Sequence, residues 1–378
     1  MAVSAASLVN FGTTGPAVGE FVYSIGPLTA PSYLPADSYV NRYLVSAYPA
    51  LGNLIVPVIT PVSYVATART LAGSHRYYSV TYGNGLFVAI SDGSSDAASS
   101  TDGITWTART LPSTNVWFAI SYGSGLFVAI GYASVGGPAT TSYATSPDGI
   151  TWTSRSFPSS NTWYGITYGN GRFIVVPQSS TVSLVSTDGI TWTTGTLPAA
   201  SVWVSVAYGN GVFVAIPYGA AAPAVSSDGI TWTSGTLPSS SLWYSITYGN
   251  GTFVAVSSTT GTTAATSTNG YDWTARTLPS SAPWSGVAYG NNAFVAVGGT
   301  GAPSNSAATS PDGITWTART LPLAQAWQSM TFGGGKFVVV ATTATSVGAT
   351  IDYAVNATSF VIPVIAPITG TTAYVKAS

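Results

Sequence analysis

The chain has 378 residues, a formal net charge of −1 and 6% charged residues, against about 25% in an ordinary soluble protein. With 10 Lys and Arg residues it has no basic patch, so a protein that binds nucleic acid by neutralising phosphates is excluded. Cysteine is absent and His75 is the one histidine, which excludes disulfides, thiolate sites and histidine-rich metal centres, so we expect no metal and no cofactor.

Residues 1–61 precede the repeated part of the chain and carry no repeat themselves. Their start lacks the basic region of a signal peptide, and their most apolar stretch, residues 54–62, is interrupted by Pro57 and Pro61. The chain contains no run of about 18 apolar residues of the kind that crosses a membrane as a helix. We therefore expect a soluble protein made in a cytosol, without membrane insertion.

Internal repeats dominate residues 62–354. A heptad S-x-D-G-I-T-W ends in a tryptophan, and a second tryptophan follows 11 residues later. A Tyr-Gly-Asn-Gly turn or a close relative comes next, between short alternating segments that favour a β-hairpin. The period of 40–46 residues is typical of a β-propeller blade with four strands, which we name A to D. Strands A and B form the hairpin, C leads into the heptad, and D follows it.

The sequence contains seven Tyr-Gly turns but only six heptads, one of them a variant. Residues 65–71 (VATARTL) match the outer strand TWTARTL and have no heptad before them. We therefore predict an all-β fold with a seven-bladed propeller of four-stranded blades, whose ring is closed by this N-terminal outer strand. Five arginines share one position of strand D, where a charge discourages edge-to-edge association. They are Arg69, Arg109, Arg155, Arg276 and Arg319.

The heptads resemble the Asp-box, or BNR, repeat of β-propellers, S-x-D-x-G-x-T-W, without the residue between Asp and Gly. In that family the box is a structural turn between the third and fourth strands. The resemblance implies that the heptad aspartates accept backbone hydrogen bonds in their own turns and bind no metal. These residues are Asp102, Asp148, Asp188, Asp228 and Asp312.

The two flanks of the propeller carry a second resemblance. Residues 33–37 (YLPAD) and 46–51 (SAYPAL) look like the opening of the small tail-collar-type modules of bacteriophage fibres. Residues 360–363 (FVIP) and 374–377 (YVKA) look like the end of the same modules. The resemblance implies that residues 1–61 and 355–378 form the two halves of a small β-rich attachment module, with the propeller of residues 62–354 inserted between them.

These resemblances imply a phage tail or fibre protein of the adhesin type, assembled in the host cytoplasm and displayed on the virion surface. Its propeller is expected to bind a host surface glycan or protein, and its terminal module to contact other virion proteins, as a homotrimer. The alternative is a structural virion decoration, such as a head fibre or baseplate component, without receptor binding. A glycosidase is a third interpretation, which we disfavour because glycosidases need a pair of carboxylates and the one glutamate, Glu20, lies outside the propeller. We therefore expect no enzymatic activity.

Propeller geometry predicts where a ligand would bind. The B–C and D–A connections share one face, and the length variation between repeats falls in the B–C segments. Variable loops on a rigid scaffold usually carry recognition, and aromatic rings and uncharged polar groups suit carbohydrate. We predict ligand contacts at loop residues and at two strand-A tryptophans: Tyr132, Tyr143, Tyr218, Asn115, Asn161, Trp117 and Trp163.

Overall fold

A computed structural model of the chain describes residues 61–73, 75–132, 140–342 and 346–355. These residues form 25 β-strands and no helix, and so no helix in this part of the chain is long and apolar enough to cross a membrane. Residues Ser63–Ala354 form one compact unit. Residues 1–60 and 356–378, on which the prediction of an attachment module rests, lie outside the described residues.

The strands repeat as antiparallel units of the A-B-C-D type. The first strands are β1 (Pro61–Thr70), β2 (Tyr77–Gly83), β3 (Leu86–Ser91), β4 (Ser94–Ser100), β5 (Thr107–Gly123), β6 (Leu126–Tyr132), β7 (Thr140–Ser146), β8 (Thr153–Asn161), β9 (Trp163–Gly169), β10 (Arg172–Ser186), β11 (Thr193–Gly209) and β12 (Val212–Ala220). They are followed by β13 (Ala224–Ser226), β14 (Thr233–Ser234), β15 (Ser241–Gly249), β16 (Thr252–Ser257), β17 (Gly261–Ser267), β18 (Thr274–Ala282), β19 (Trp284–Gly290), β20 (Ala293–Gly298), β21 (Ser304–Ser310), β22 (Thr317–Gln325), β23 (Trp327–Gly333), β24 (Lys336–Ala341) and β25 (Val347–Val355).

Sheet pairing follows the repeat. Strands β19, β20, β21 and β22 form a four-stranded sheet in that order, and they serve as A to D of one unit. Long strands such as β5 belong to two units, since β5 pairs with β4 through its first part and with β6 through its second. At the end of the described chain, the sheet order is β1-β25-β24-β23. A strand from the start of the propeller is therefore the outer strand of its last unit.

The A–B turns follow from Asn-Gly chemistry. Asn250 and Gly251 have φ angles of 46° and 77°, the left-handed pair that a two-residue type I′ turn requires. Glycine adopts this conformation freely, and asparagine does so more readily than other residues with a side chain. Beside the turn, Tyr248 lies opposite Phe253, with the ring centroids 4.7 Å apart. Such cross-strand aromatic pairs stabilise the hairpin.

The hydrophobic core lies between neighbouring sheets. The large aromatic residue near the start of each A strand is almost completely buried there: Tyr77, Trp117, Trp163, Trp203, Trp243, Trp284 and Trp327. Trp284 packs against Leu278 and Val254 of the preceding unit and Ala308 of its own. Burial of such a ring removes about 150–250 Å² from water, so these residues dominate the energetics of packing between units.

Consecutive units are also joined by a glycine that packs under an aromatic ring. A Cβ atom on Gly249 would lie 2.0 Å from the ring carbon Cγ of Tyr289 in the next unit. The same contact recurs from unit to unit, and Gly333 of the last unit packs under Tyr82 of the first. The A strands of all the units surround a central channel. This is the arrangement of a β-propeller.

Each heptad closes its turn through two side chains. Asp228 Oδ1 accepts hydrogen bonds from the backbone N–H of Ile230 at 2.8 Å and of Thr231 at 3.0 Å. Ser226 Oγ donates to the same carboxylate at 2.9 Å and accepts from Gly229 N–H at 2.8 Å. The other four aspartate heptads repeat these bonds. The carboxylate therefore satisfies backbone donors inside its own turn.

The outer-strand arginines bind inside their own sheets. Nε of Arg276 donates to Thr266 Oγ1 of strand C at 2.9 Å, and the other four arginines donate to Ser or Thr in the same way. Units with glycine at this position pack directly on the next unit. There, Thr236 N–H donates to Tyr271 O at 2.7 Å, and a Cβ on Gly235 would lie 2.6 Å from that oxygen.

Candidate binding site at the channel mouth

A β-bulge occurs at the same place in every A–B strand pair. In β19, Trp284 lies opposite Gly298 and Gly286 lies opposite Val297, so Ser285 is an extra residue in the ladder. The equivalent register shift follows the buried aromatic residue in each of the other A strands. Bulges re-aim side chains. Here the extra residue of each strand lines one end of the central channel.

We call this set of bulge residues the channel mouth: Tyr78, Phe118, Tyr164, Val204, Tyr244, Ser285 and Gln328. Three consecutive members form an aromatic wall. The ring centroids of Tyr78 and Phe118 are 5.2 Å apart, and those of Phe118 and Tyr164 are 4.2 Å apart. All three side chains are partly exposed. Such a wall can pack against an apolar face of a ligand.

A polar network lies on the other side of the channel mouth. Gln328 Nε2 donates to the hydroxyl of Tyr244, and Gln328 Oε1 accepts from Thr300 Oγ1 at 2.9 Å. These bonds hold the amide between two hydroxyl groups, and its NH₂ group carries two hydrogens. The second hydrogen on the same nitrogen gives the amide a further donor. We call Tyr244, Gln328 and Thr300 the polar clamp.

The tyrosine hydroxyls at the mouth stay protonated at neutral pH. Burial raises the pKa of Tyr78 to about 12, with smaller contributions from the neighbouring Tyr244 and Asp92. Burial also raises the pKa of Tyr244 above its usual range. A protonated hydroxyl both donates and accepts hydrogen bonds. The mouth therefore presents neutral hydrogen-bonding groups.

The channel, including its mouth, holds an open cavity of about 390 Å³. This volume lies within the range of about 300–1,000 Å³ that small-molecule sites occupy. The described residues that line it are all uncharged, and they include hydroxyl groups such as those of Ser205, Ser245 and Thr331. Among the described residues, no group of three or more His, Asp or Glu side chains is placed to hold a metal ion.

Two pairs of ionisable residues lie beside the start of β2. An Arg76 nitrogen is 3.9 Å from an Asp92 carboxylate oxygen, and His75 pairs with Asp96. Burial raises the pKa of Asp92, and the Arg76 charge opposes this shift. Asp92 and Arg76 both act electrostatically on Tyr78. The Arg76 and Asp92 side chains therefore form a loose ion pair close to Tyr78.

Two of the predicted ligand contacts are core residues. Trp117 and Trp163 are both 0% exposed. The indole N–H of Trp117 donates to Ser113 O at 3.2 Å, inside the fold. The bulge that aims the next residue into the channel leaves each tryptophan facing the space between sheets. The prediction that these two residues contact a ligand is therefore wrong.

Two predicted loop contacts are also packed inside. Tyr143 is 1% exposed, stacks on Phe157 with 4.1 Å between ring centroids and donates its hydroxyl to Ile190 O at 3.1 Å. Asn115 is 7% exposed, and its Nδ2 donates to Ser113 Oγ at 3.2 Å. Both side chains fill the structure and are not presented at the loop face, so these two predictions are wrong as well.

The other three predicted ligand contacts, Tyr132, Asn161 and Tyr218, remain predictions. Tyr218 is 37% exposed, and its ring lies 6.4 Å from that of Tyr244, at the edge of the channel mouth. Asn161 is partly exposed at the end of β8. Tyr132 ends β6, where its backbone pairs with Val116. Of the three, the structure brings Tyr218 to the channel mouth.

The predicted ligand contacts rest on loop length, and loop length does not point to the channel mouth. The signal was present in the repeat, since the residue after the strand-A aromatic takes five different types in seven units: Tyr78, Phe118, Tyr164, Val204, Tyr244, Ser285 and Gln328. The buried aromatic before it and the Tyr-Gly turn after it are nearly constant. A variable position inside a constant strand is where a repeated scaffold can carry specificity.

The chain matches no protein-family model and no curated protein. Solved structures do resemble it. Virginiamycin B lyase from Staphylococcus aureus has a TM-score of 0.67 and 14% identity, over 77% of this chain and 99% of that chain. YCF48 bound to D1 peptide has a TM-score of 0.61 and 15% identity, over 77% and 98%. The WD40 β-propeller domain of Doa1 has a TM-score of 0.54 and 11% identity, over 77% and 97%. These likenesses show that the chain is a β-propeller.

One likeness contradicts an expectation from the sequence. We expected no enzymatic activity, but virginiamycin B lyase is an enzyme built on this fold. The expectation rested on the carboxylate pairs of glycosidases, and lyase chemistry does not depend on that arrangement. We therefore withdraw it. At 14% identity, the likeness concerns the fold and assigns no reaction to this chain.

Proposed function

We propose that this chain is a tail or fibre protein of a bacteriophage-type particle, whose propeller binds a glycan or protein on the host surface. In this proposal, residues 1–61 and 355–378 attach the chain to other virion proteins and bring copies together as a trimer. The attachment role is supported by the likeness of both flanks to tail-collar-type modules. The binding role is supported by the channel mouth.

The channel mouth is the observation that carries receptor binding. It combines three properties on one face: an aromatic wall, neutral hydrogen-bonding groups and a residue type that varies among the units. The rest of each A strand is a rigid scaffold that repeats almost unchanged. Recognition is usually built in this way, with a variable site supported by strands whose packing holds it in place.

We infer further that the propeller has seven blades and that β1 closes the ring. Three contacts between the first and last units support this. Strand β1 lies beside β25, Gly333 packs under Tyr82, and Ser329 Oγ accepts from Val80 N–H at 3.4 Å. Closure removes the two free sheet edges that an open arc would expose, and it fixes the mouth residues relative to one another.

A structural decoration of the virion is the second candidate. The burial of Tyr143 and Asn115 favours it, because residues of the variable segments then serve packing instead of contact with a ligand. The two candidates differ in one respect that can be measured: only the first requires the channel mouth to contact a host surface.

Flow cytometry of fluorescently labelled full-length chain on a panel of bacterial cells would test the proposal. We expect staining of some strains to fall more than tenfold in a Tyr164→Ala/Tyr244→Ala variant. The control is Tyr271→Ala, which removes a tyrosine that is 36% exposed on the opposite, heptad face. Equal staining by all three proteins would overturn the site. Absence of staining, with recovery of the chain in purified particles, would favour the structural decoration.

A further inference from the structure

We propose that the channel mouth binds an uncharged pyranose sugar, stacked on the aromatic wall and hydrogen-bonded to the polar clamp, and that it rejects the corresponding acidic sugar. This inference rests on the proposed function and names the ligand class of the same site. It combines the shape of the two sides of the mouth with the absence of charge from the described cavity lining.

The aromatic wall supplies the stacking surface. Neighbouring rings of Tyr78, Phe118 and Tyr164 are tilted by 41° to each other, so the three rings do not form one flat surface. A pyranose has a convex apolar face made of C–H groups, which suits such a surface. A planar aromatic ligand would contact only one of these rings face to face.

The polar clamp supplies hydrogen bonds across the channel. The Tyr244 hydroxyl and the Gln328 amide line the channel there, and both kinds of group can donate and accept hydrogen bonds. Because the Gln328 amide is held between the hydroxyls of Tyr244 and Thr300, the clamp is formed before a ligand binds. Vicinal sugar hydroxyls combine donor and acceptor on neighbouring carbons and match this pair of groups.

The absence of charged side chains from the described cavity lining predicts selectivity for neutral over acidic sugars. The described residues that line the cavity include no Lys, Arg or His to balance a carboxylate. At the rim, the exposed Arg76 guanidinium lies 3.9 Å from Asp92, and the Asp92 carboxylate would repel an acidic ligand. A buried anion without a partner is strongly disfavoured, so an acidic sugar would have to give up its hydration without compensation.

Two methyl glycosides make a matched pair of probes. Methyl glucopyranoside and methyl glucopyranosiduronate differ only in CH₂OH against COO⁻, and the galactose pair gives the same comparison. Saturation-transfer NMR and titration calorimetry on the full chain would measure their binding. We expect at least one neutral glycoside to bind, in the millimolar range of a single small site, and its uronate to bind at least tenfold more weakly.

Variants locate the site. Phe118→Leu removes the central ring of the aromatic wall while keeping an apolar side chain. Gln328→Ala removes the amide group of the polar clamp. We expect each to weaken binding of the neutral glycoside about tenfold, since a stacked ring or one good hydrogen bond contributes about that factor. Tyr271→Ala on the heptad face should leave binding unchanged. The melting temperature of each variant shows whether it has folded.

The outcomes separate this inference from the proposed function. Equal binding of a neutral glycoside and its uronate would overturn the charge argument. Binding unchanged in folded Phe118→Leu and Gln328→Ala would overturn the location. If no neutral glycoside of either pair binds while the chain still stains cells through the mouth, the sugar class is wrong and the receptor is of another kind. If no sugar binds and no cell is stained, both proposals fail.

Discussion

The two faces of the propeller are built differently. On the turn face, made of the A–B turns and the heptads, both the residues and their bonds repeat: the Ser226–Asp228 pair recurs in every aspartate heptad, and the Gly249–Tyr289 contact recurs between units. On the loop face, which carries the channel mouth, only the backbone repeats. The bulge is constant, and its residue changes from Tyr78 to Gln328 around the ring.

This difference separates stability from specificity. Residues that repeat with their contacts are there because the fold needs them in each unit. A residue that changes while its backbone geometry stays constant is free of that requirement. If this is correct, substitutions on the turn face should lower stability, and substitutions at the channel mouth should change binding with little loss of stability.

The largest effect is expected from opening the ring, on which both faces depend. Deleting residues 1–72 removes β1, with the Arg69–Thr350 bond of 3.0 Å and the burial of Leu71, which is 2% exposed. It exposes β25 as a free edge. Burial of one leucine side chain alone contributes about 1.5–3 kcal/mol, so we expect a loss of several kcal/mol across the strand. Calorimetric melting would measure it.

The matched control for this deletion is the chain without residues 1–60, which keeps β1. Its propeller should melt at the temperature of the full chain. If the two truncated chains melt together, β1 does not close the ring, and the inference of seven blades loses its main support.

The next largest effect is expected at a glycine of the turn face. Gly249→Ala would place a Cβ 2.0 Å from the Tyr289 ring, and we expect a loss of about 3 kcal/mol from overpacking. Gly251→Ala in the same turn meets open space, and its φ of 77° costs alanine about 1–2 kcal/mol. Urea unfolding of both variants checks the order. Equal losses would show that the glycine under the ring is not a packing requirement.

A smaller effect is expected from the heptad aspartates. Asp188 is exposed, so Asp188→Ala should cost about 1 kcal/mol, the magnitude found for side chains that cap backbone N–H groups at helix starts. Asp188→Asn should cost less, because the amide oxygen still accepts from Ile190 and Thr191. Asp352→Ala, at an exposed strand position, is the control. A larger loss for Asn than for Ala would contradict the role of the acceptor.

The same turns predict how stability depends on pH. The hydrogen bond from Thr191 N–H is the main cause that lowers the pKa of Asp188 from 3.8 to about 2, and that from Thr105 N–H does the same for Asp102. A carboxyl whose pKa is lower in the folded state stabilises fully above pH 3.8, and this stabilisation is lost as the pH falls through about 2. Melting temperatures between pH 5 and pH 2 should fall, and less so in Asp188→Asn.

The sequence predicts the fold far better than the site, for a physical reason. Strand periodicity, Asn-Gly turns such as Asn250–Gly251 and buried aromatic residues such as Trp284 are local requirements, so each appears in the repeat as a residue type. The bulge after Trp284 is set by how two strands pair, and no special residue marks it. Loop length likewise does not reveal burial, which is why Tyr143 looked like a surface residue.

The smallest effect on stability is expected at the loop face, where the same substitution can be compared with one on the turn face. Tyr218→Ala removes a ring that is 37% exposed and touches Tyr244 only in an edge-on contact, so we expect a loss below about 1 kcal/mol. Tyr248→Ala removes a ring that covers Gly209 and packs on Phe253 at 4.7 Å, and should cost about 2–3 kcal/mol. Urea unfolding would measure both free energies. If Tyr218→Ala costs as much as Tyr248→Ala, the loop face is needed for the fold in the way the turn face is, and the separation of stability from specificity fails.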